Sequence, residues 1–237
     1  MNKLYRKSEI LFAIVWIIAY IVGTSIADNL HKGITLGLHI VMTALALLWA
    51  GKNNLLSKYG LCKPALPARR VLFYLPLLIA SSSNLWLGVT MNMPAVDTLL
   101  YVASMLCVGF LEEFIFRGLL FRAMEKDSLK TAVIVTSLTF GIGHIINLFN
   151  GSGMDLAANA GQVVSAIAFG FLFVILFIKT GSLLPCIAAH STINALSAFA
   201  VSPSTLWDIL TALLLTLIAI SYGLILIKKI PNNSLAK

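Results

Sequence analysis

Apolar residues fall in eight blocks, at about 10–27, 34–50, 71–89, 98–122, 131–149, 160–178, 182–200 and 205–227, separated by short polar stretches. Blocks near ~20 residues match the hydrocarbon thickness of a bilayer, and each is predicted to be a transmembrane helix. The pattern therefore reads as an all-α polytopic membrane protein of about eight helices in one bundle. One domain over 1–237 is expected, with no internal repeat, and the polar residues that interrupt the blocks concentrate in a core at about 98–200.

Composition agrees with this reading. The chain is 59% hydrophobic and only 11% charged, with a mean hydropathy of +0.94, whereas soluble domains carry roughly 25% charged residues. Its net charge of +8 raises nucleic acid as a partner until the charges are placed along the chain. Of the 17 Lys and Arg, 15 precede the first block, follow the last, or lie in alternate connections. Only Lys32 sits in the other connections, and Arg117 is inside a block. This asymmetry is the positive-inside pattern, which predicts both termini in the cytoplasm and leaves no reason to invoke nucleic acid.

The first block also has features of a signal peptide, with Ser25 and Ala27 as a cleavage-like site, but its length and the charge alternation favour a retained helix. The connection 51–70, with Pro64 and Pro67, reads as a basic loop along anionic headgroups. Asn150–Gly151–Ser152–Gly153 reads as an outer loop. Cys62, Cys107 and Cys186 are odd in number and imply no disulfide framework.

Few ionisable groups remain at membrane depth: Glu112, Glu113, Arg117, His144, His190 and, less centrally, His39. Each charge there costs roughly 2.5–3.5 kcal/mol if unpaired, so a helix that keeps them is expected to use them. Glu113 and Arg117 are four residues apart with the acid first, which pairs them on one helix face. Glu112 points about 100° away. One Arg cannot neutralise two carboxylates, so Glu112 must share a proton, meet a His or reach water.

His144 shares a helix face with Phe140, and Gly141 and Gly143 are expected to admit a neighbouring helix closely. His190 and Asn194 share a face on another helix. Counted from the nearest basic residue at 1.5 Å per residue, Glu112 lies about 15 Å deep, His190 about 16 Å and His144 about 21 Å, which permits a meeting. His39 is expected to be a helix-to-helix hydrogen-bonder and Asn147 a helix-end residue. Asp28, Asp97, Asp127, Asp155 and Asp208 fall in loops or at helix ends. No His-Glu-x-x-His is present, no two Asp lie mid-helix, and Ser152 is in a loop. Glutamate and histidine acting on water are what remain for intramembrane hydrolysis.

Glu112-Glu113-x-x-x-Arg117, Phe140-x-x-x-His144 and His190-x-x-x-Asn194 resemble the three ordered motifs of the CAAX-protease and bacteriocin-processing (CPBP, or Abi) family. That family includes the endopeptidases that trim prenylated CAAX proteins. The resemblance covers the fourth to seventh blocks. It implies a glutamate-dependent intramembrane endopeptidase whose helices surround a cytoplasm-facing polar cavity. In that scheme Glu112 and His144 activate water, His190 and Asn194 stabilise the oxyanion, and Glu113 and Arg117 orient the site.

Members are often named metalloproteases, because Glu112, His144 and His190 could ligate zinc or another divalent metal. Asn194 is a poor fourth ligand, so the expected mechanism uses no cofactor. The expected partners are the lipid bilayer and a peptide or membrane-anchored protein substrate, in a bacterial cell membrane. The rival reading is a non-catalytic immunity protein or transporter that binds through the same groups. A transporter would often show helices interrupted at corresponding places in two halves, and the sequence offers no clear pair.

Overall fold

The computed structural model describes residues 1–149, 155–201 and 204–231. The expected outer loop at Asn150–Gly153, with Ser152, and the terminal Lys237 lie outside the described residues. After a short amphipathic helix α1 (Asn2–Lys7), the chain forms α2 (Glu9–Asp28) and α3 (Lys32–Lys52). A 3₁₀ stretch (Ala68–Tyr74) leads into α4 (Leu75–Ser81), followed by the long α5 (Ala95–Met124). Then come α6 (Leu129–Gly143), α7 (Leu156–Thr180), α8 (Leu184–Leu196) and α9 (Thr205–Lys229). Among the described residues there is no strand, only an isolated antiparallel bridge between Val89 and Ala200.

Six helices are long and apolar enough to span a membrane, beginning at Glu9, Lys32, Ala95, Leu129, Leu156 and Thr205. Of the about eight helices expected, six are therefore long enough to span unbroken, and the count of eight is not reached by unbroken helices among the described residues. The blocks at 71–89 and 182–200 connect the same two ends of the bundle through short helices and irregular backbone. In the first, left-handed φ values at Leu72 (53°), Phe73 (52°) and Tyr74 (57°) break the helix. Pro76 restarts it, and Ser81, Ser82, Ser83 and Asn84 end it, since such side chains compete for backbone partners. α8 runs for only 13 residues before a 3₁₀ turn at Ser197–Phe199.

The two broken passages satisfy each other. Asn84 donates to the Ile193 carbonyl (2.7 Å), Asn92 to the Ala200 carbonyl (2.8 Å), and the Thr90 N–H to the Phe199 carbonyl (3.0 Å). Irregular backbone is tolerated at membrane depth only where protein covers it, and this pairing supplies that cover.

α7 is the most enclosed span and packs between α6 and α9, while α5 packs against α8 and α3. An aromatic core of Phe12, Trp16, Trp49, Tyr59 and Phe114 joins α2, α3 and α5. The outer surfaces of the spans carry exposed Leu, Ile and Val, as a lipid-facing bundle requires. At one end Glu9 binds Lys58 (3.0 Å) and Lys126 (2.7 Å), and the remaining basic connections gather there. At the other end Lys32 pairs with Asp97 (3.3 Å), and Asp155 caps α7 by accepting from the Ala158 N–H (2.8 Å).

Candidate active site

Two close approaches bring α5, α6, α7 and α8 to the polar residues. A Cβ added at Gly109 on α5 would lie 2.5 Å from the Ser191 backbone nitrogen on α8, so only glycine lets these helices touch. Ser191 then donates to the Leu106 carbonyl (3.0 Å), which ties the pair one residue from His190. A Cβ at Gly141 on α6 would lie 2.7 Å from the Ile167 backbone nitrogen on α7, as the sequence predicts, whereas Gly143 faces open space.

α5 is α-helical through Glu113, then widens into a π-helical segment over Phe114–Phe121 before closing at Arg122–Met124. Widened turns of this kind occur most often at functional sites. The segment carries Arg117 back over Glu113. Arg117 Nη1 donates to Glu113 Oε1 (3.1 Å), and both side chains are 0% exposed. The same oxygen receives His190 Nδ1 at 2.9 Å. The Phe140 ring lies 4.0 Å from the guanidinium carbon, a cation–π contact that replaces water on one face of the charge.

Glu112 turns the other way, as its position predicts. Its side chain is 17% exposed; Oε2 lies 3.5 Å from His190 Nε2, and Oε1 accepts from the Tyr20 hydroxyl at 2.7 Å. His144 ends α6 and is half-buried. Its Nδ1 lies 3.1 Å from the Phe140 carbonyl, and Glu112, His190 and Arg117 are near enough to act on it electrostatically. A carbonyl only accepts, so Nδ1 carries the hydrogen and Nε2 keeps the lone pair in the neutral ring. The same argument applied to the Glu113 carboxylate puts a hydrogen on His190 Nδ1.

Phe140 is the hub of the cluster, with its ring centre 5.1 Å from that of His144, 5.7 Å from His190 and 5.5 Å from Phe116. Asn194 sits one turn beyond His190, half-buried, and its amide makes no hydrogen bond to the described residues. The structure thus gathers Glu112, Glu113, Arg117, His144 and His190, with Asn194 at the margin.

Among the described residues no three His, Cys, Asp or Glu side chains form a metal-binding group. Grooves of about 600 and 380 Å³ run along α6, α7 and α9, lined by apolar residues such as Ile167 and Phe171, and neither is lined by the site residues.

Tyr20 and Gly109 went unnoticed in the sequence. Tyr20 is the one side chain with a hydroxyl on an aromatic ring in the first block, a weak signal in a membrane helix, where tyrosine also marks interfaces. His39, expected to bond helix to helix, does so through Thr24 (3.0 Å) and Ser104 (2.7 Å).

Fold and site define a class, an all-α polytopic membrane protein with a carboxylate–imidazole cluster inside the bundle. Residues 94–196 match the family model described as type II CAAX prenyl endopeptidase Rce1-like, so this segment is similar to the CAAX-protease and bacteriocin-processing proteins. The matched region holds every motif residue and supports endoproteolysis within the membrane. Searches of curated proteins and of solved structures gave no match.

Proposed function

We propose that the protein is an intramembrane endopeptidase that hydrolyses a peptide bond in a peptide or membrane-anchored substrate with water activated by Glu112. What carries the reading is the convergence of His144 and His190 on Phe140 with Glu112 beside His190, from three different helices, and with Glu112 left unpaired by Arg117. Two carboxylates and one guanidinium leave one negative charge, which a proton shared between Glu112 and His190 balances.

In the proposed reaction a water molecule is held between Glu112 and the lone pair of His144 Nε2. Glu112 takes its proton while the oxygen bonds to the scissile carbonyl carbon. The oxyanion that forms is stabilised by donors from His190 and Asn194. When the C–N bond breaks, the proton held by Glu112 passes to the departing amine, leaving an acid and an amine. Glu113 and Arg117 hold His190 in register. No step is routed through a metal. The basic end of the bundle is assigned to the cytoplasm and the protein to a bacterial cell membrane. Leader-peptide maturation, CAAX-type processing and bacteriocin immunity are the substrate contexts that this chemistry serves.

Interruption of the third and seventh passages is a feature that transporters share. Here the interrupted ends bond to each other, and the family match favours hydrolysis. The test is cleavage of a peptide by purified protein in detergent. Glu112→Gln and His144→Ala should each lower kcat by about 10²-fold or more. Equal cleavage by all three proteins would end the assignment. Stoichiometric metal in the active sample, with activity lost to a chelator, would replace the metal-free mechanism.

A further inference from the structure

The region that matches the family begins at residue 94, yet the shortest hydrogen bond to Glu112 comes from outside it. The Tyr20 hydroxyl on α2 donates to Glu112 Oε1 at 2.7 Å across 92 residues of sequence. A carboxylate offers no hydrogen to a phenol, so in the ionised state of Glu112 the direction of this bond is fixed. Tyr20 is itself only 7% exposed, and its ring is packed in the aromatic core with Trp16.

A separate link between helices runs nearby and does not bond the hydroxyl of Tyr20. Its ring lies 5.9 Å from that of His39 on α3. His39 bonds Thr24, one turn beyond Tyr20 on α2, and Ser104, two turns before Glu112 on α5. These bonds join α2, α3 and α5.

We propose that Tyr20 is a positioning residue for the hydrolytic reaction: it fixes one oxygen of Glu112 so that the other faces His190 and the reacting water. The inference rests on the reading of Glu112 as the proton acceptor. Because Oε1 is occupied by Tyr20 and Oε2 lies 3.5 Å from His190, the carboxyl plane is set by two groups on opposite sides. Without the hydroxyl, Glu112 is free to rotate about its terminal bond, a broad torsion with little intrinsic preference. The reactive geometry is then populated only part of the time, which lowers turnover but leaves substrate affinity alone.

The experiment measures kcat, KM and the thermal unfolding midpoint for the full chain and for Tyr20→Phe, Thr24→Val and Glu112→Gln. Tyr20→Phe removes one oxygen and keeps the ring, so kcat should fall about 10- to 100-fold, as for loss of a hydrogen bond to a charged group. KM should stay within about twofold. Thr24→Val, which breaks only the bond to His39 on the same helix pair, should leave kcat within about twofold. Unchanged kcat in Tyr20→Phe would overturn the role, as would an equal loss in Thr24→Val or failure of Tyr20→Phe to fold, since a hydroxyl serving Glu112 is not needed for packing. If Glu112→Gln retains full activity, the hydrolytic reading fails instead.

Discussion

Arg117 has the most to lose from substitution. It is 0% exposed, holds Glu113 at 3.1 Å and stacks on Phe140. Removing one partner of a buried pair leaves a bare charge and costs about 3–5 kcal/mol. Arg117→Met should therefore lower the unfolding midpoint in detergent sharply, and the double variant Glu113→Gln with Arg117→Met should recover part of the loss. The Glu113–Arg117 pair was legible in the sequence because i,i+4 spacing on a helix is a local property. The His190 bond to Glu113 was not, because which helices become neighbours is settled by packing. Nor was Tyr20, whose partner lies three helices later.

Among the elements, the junction of α5 and α8 matters most to the site. Gly109 gives it no slack: an added Cβ would meet the Ser191 backbone. Gly109→Val should separate the helices, cost about 1–3 kcal/mol by overpacking, and reduce cleavage along with the unfolding midpoint. Gly143→Ala, with nothing within 4 Å of the added carbon, should leave both almost unchanged. The sequence marks Gly141 and Gly143 alike, since periodicity identifies a small residue but not whether a neighbour stands opposite. It likewise predicts one continuous α-helix over 98–122, because hydropathy cannot distinguish an α turn from a π turn. The break in the third block had its own signals, Pro76 and the serine cluster, which the apolar count outweighed.

Across the whole molecule the charge distribution makes the firmest statement. Glu9 gathers Lys58 and Lys126 at one end, and Lys32 meets Asp97 at the other. In a background lacking Cys62, Cys107 and Cys186, Asn29→Cys should react with an impermeant maleimide in intact cells. Lys63→Cys should react only after the membrane is opened, and the reverse pattern would invert the proposed orientation. The all-α membrane class was readable from hydropathy alone, whereas the number of long helices was not, because an apolar stretch can also cross as short helices that bond to each other.

That mutual bonding has a mechanical consequence. α4 has 7 residues and α8 has 13, so at 1.5 Å per residue they reach only about 10 and 20 Å, against a hydrocarbon layer of about 30 Å. Beside α4, where Leu75 and Leu78 face outward, the rest of the crossing is irregular backbone that bonds to the partner passage rather than along one helix. A crossing assembled from short pieces has more points at which it can bend than a single long rod, so the wall next to the His190 helix is expected to yield before the six long spans do.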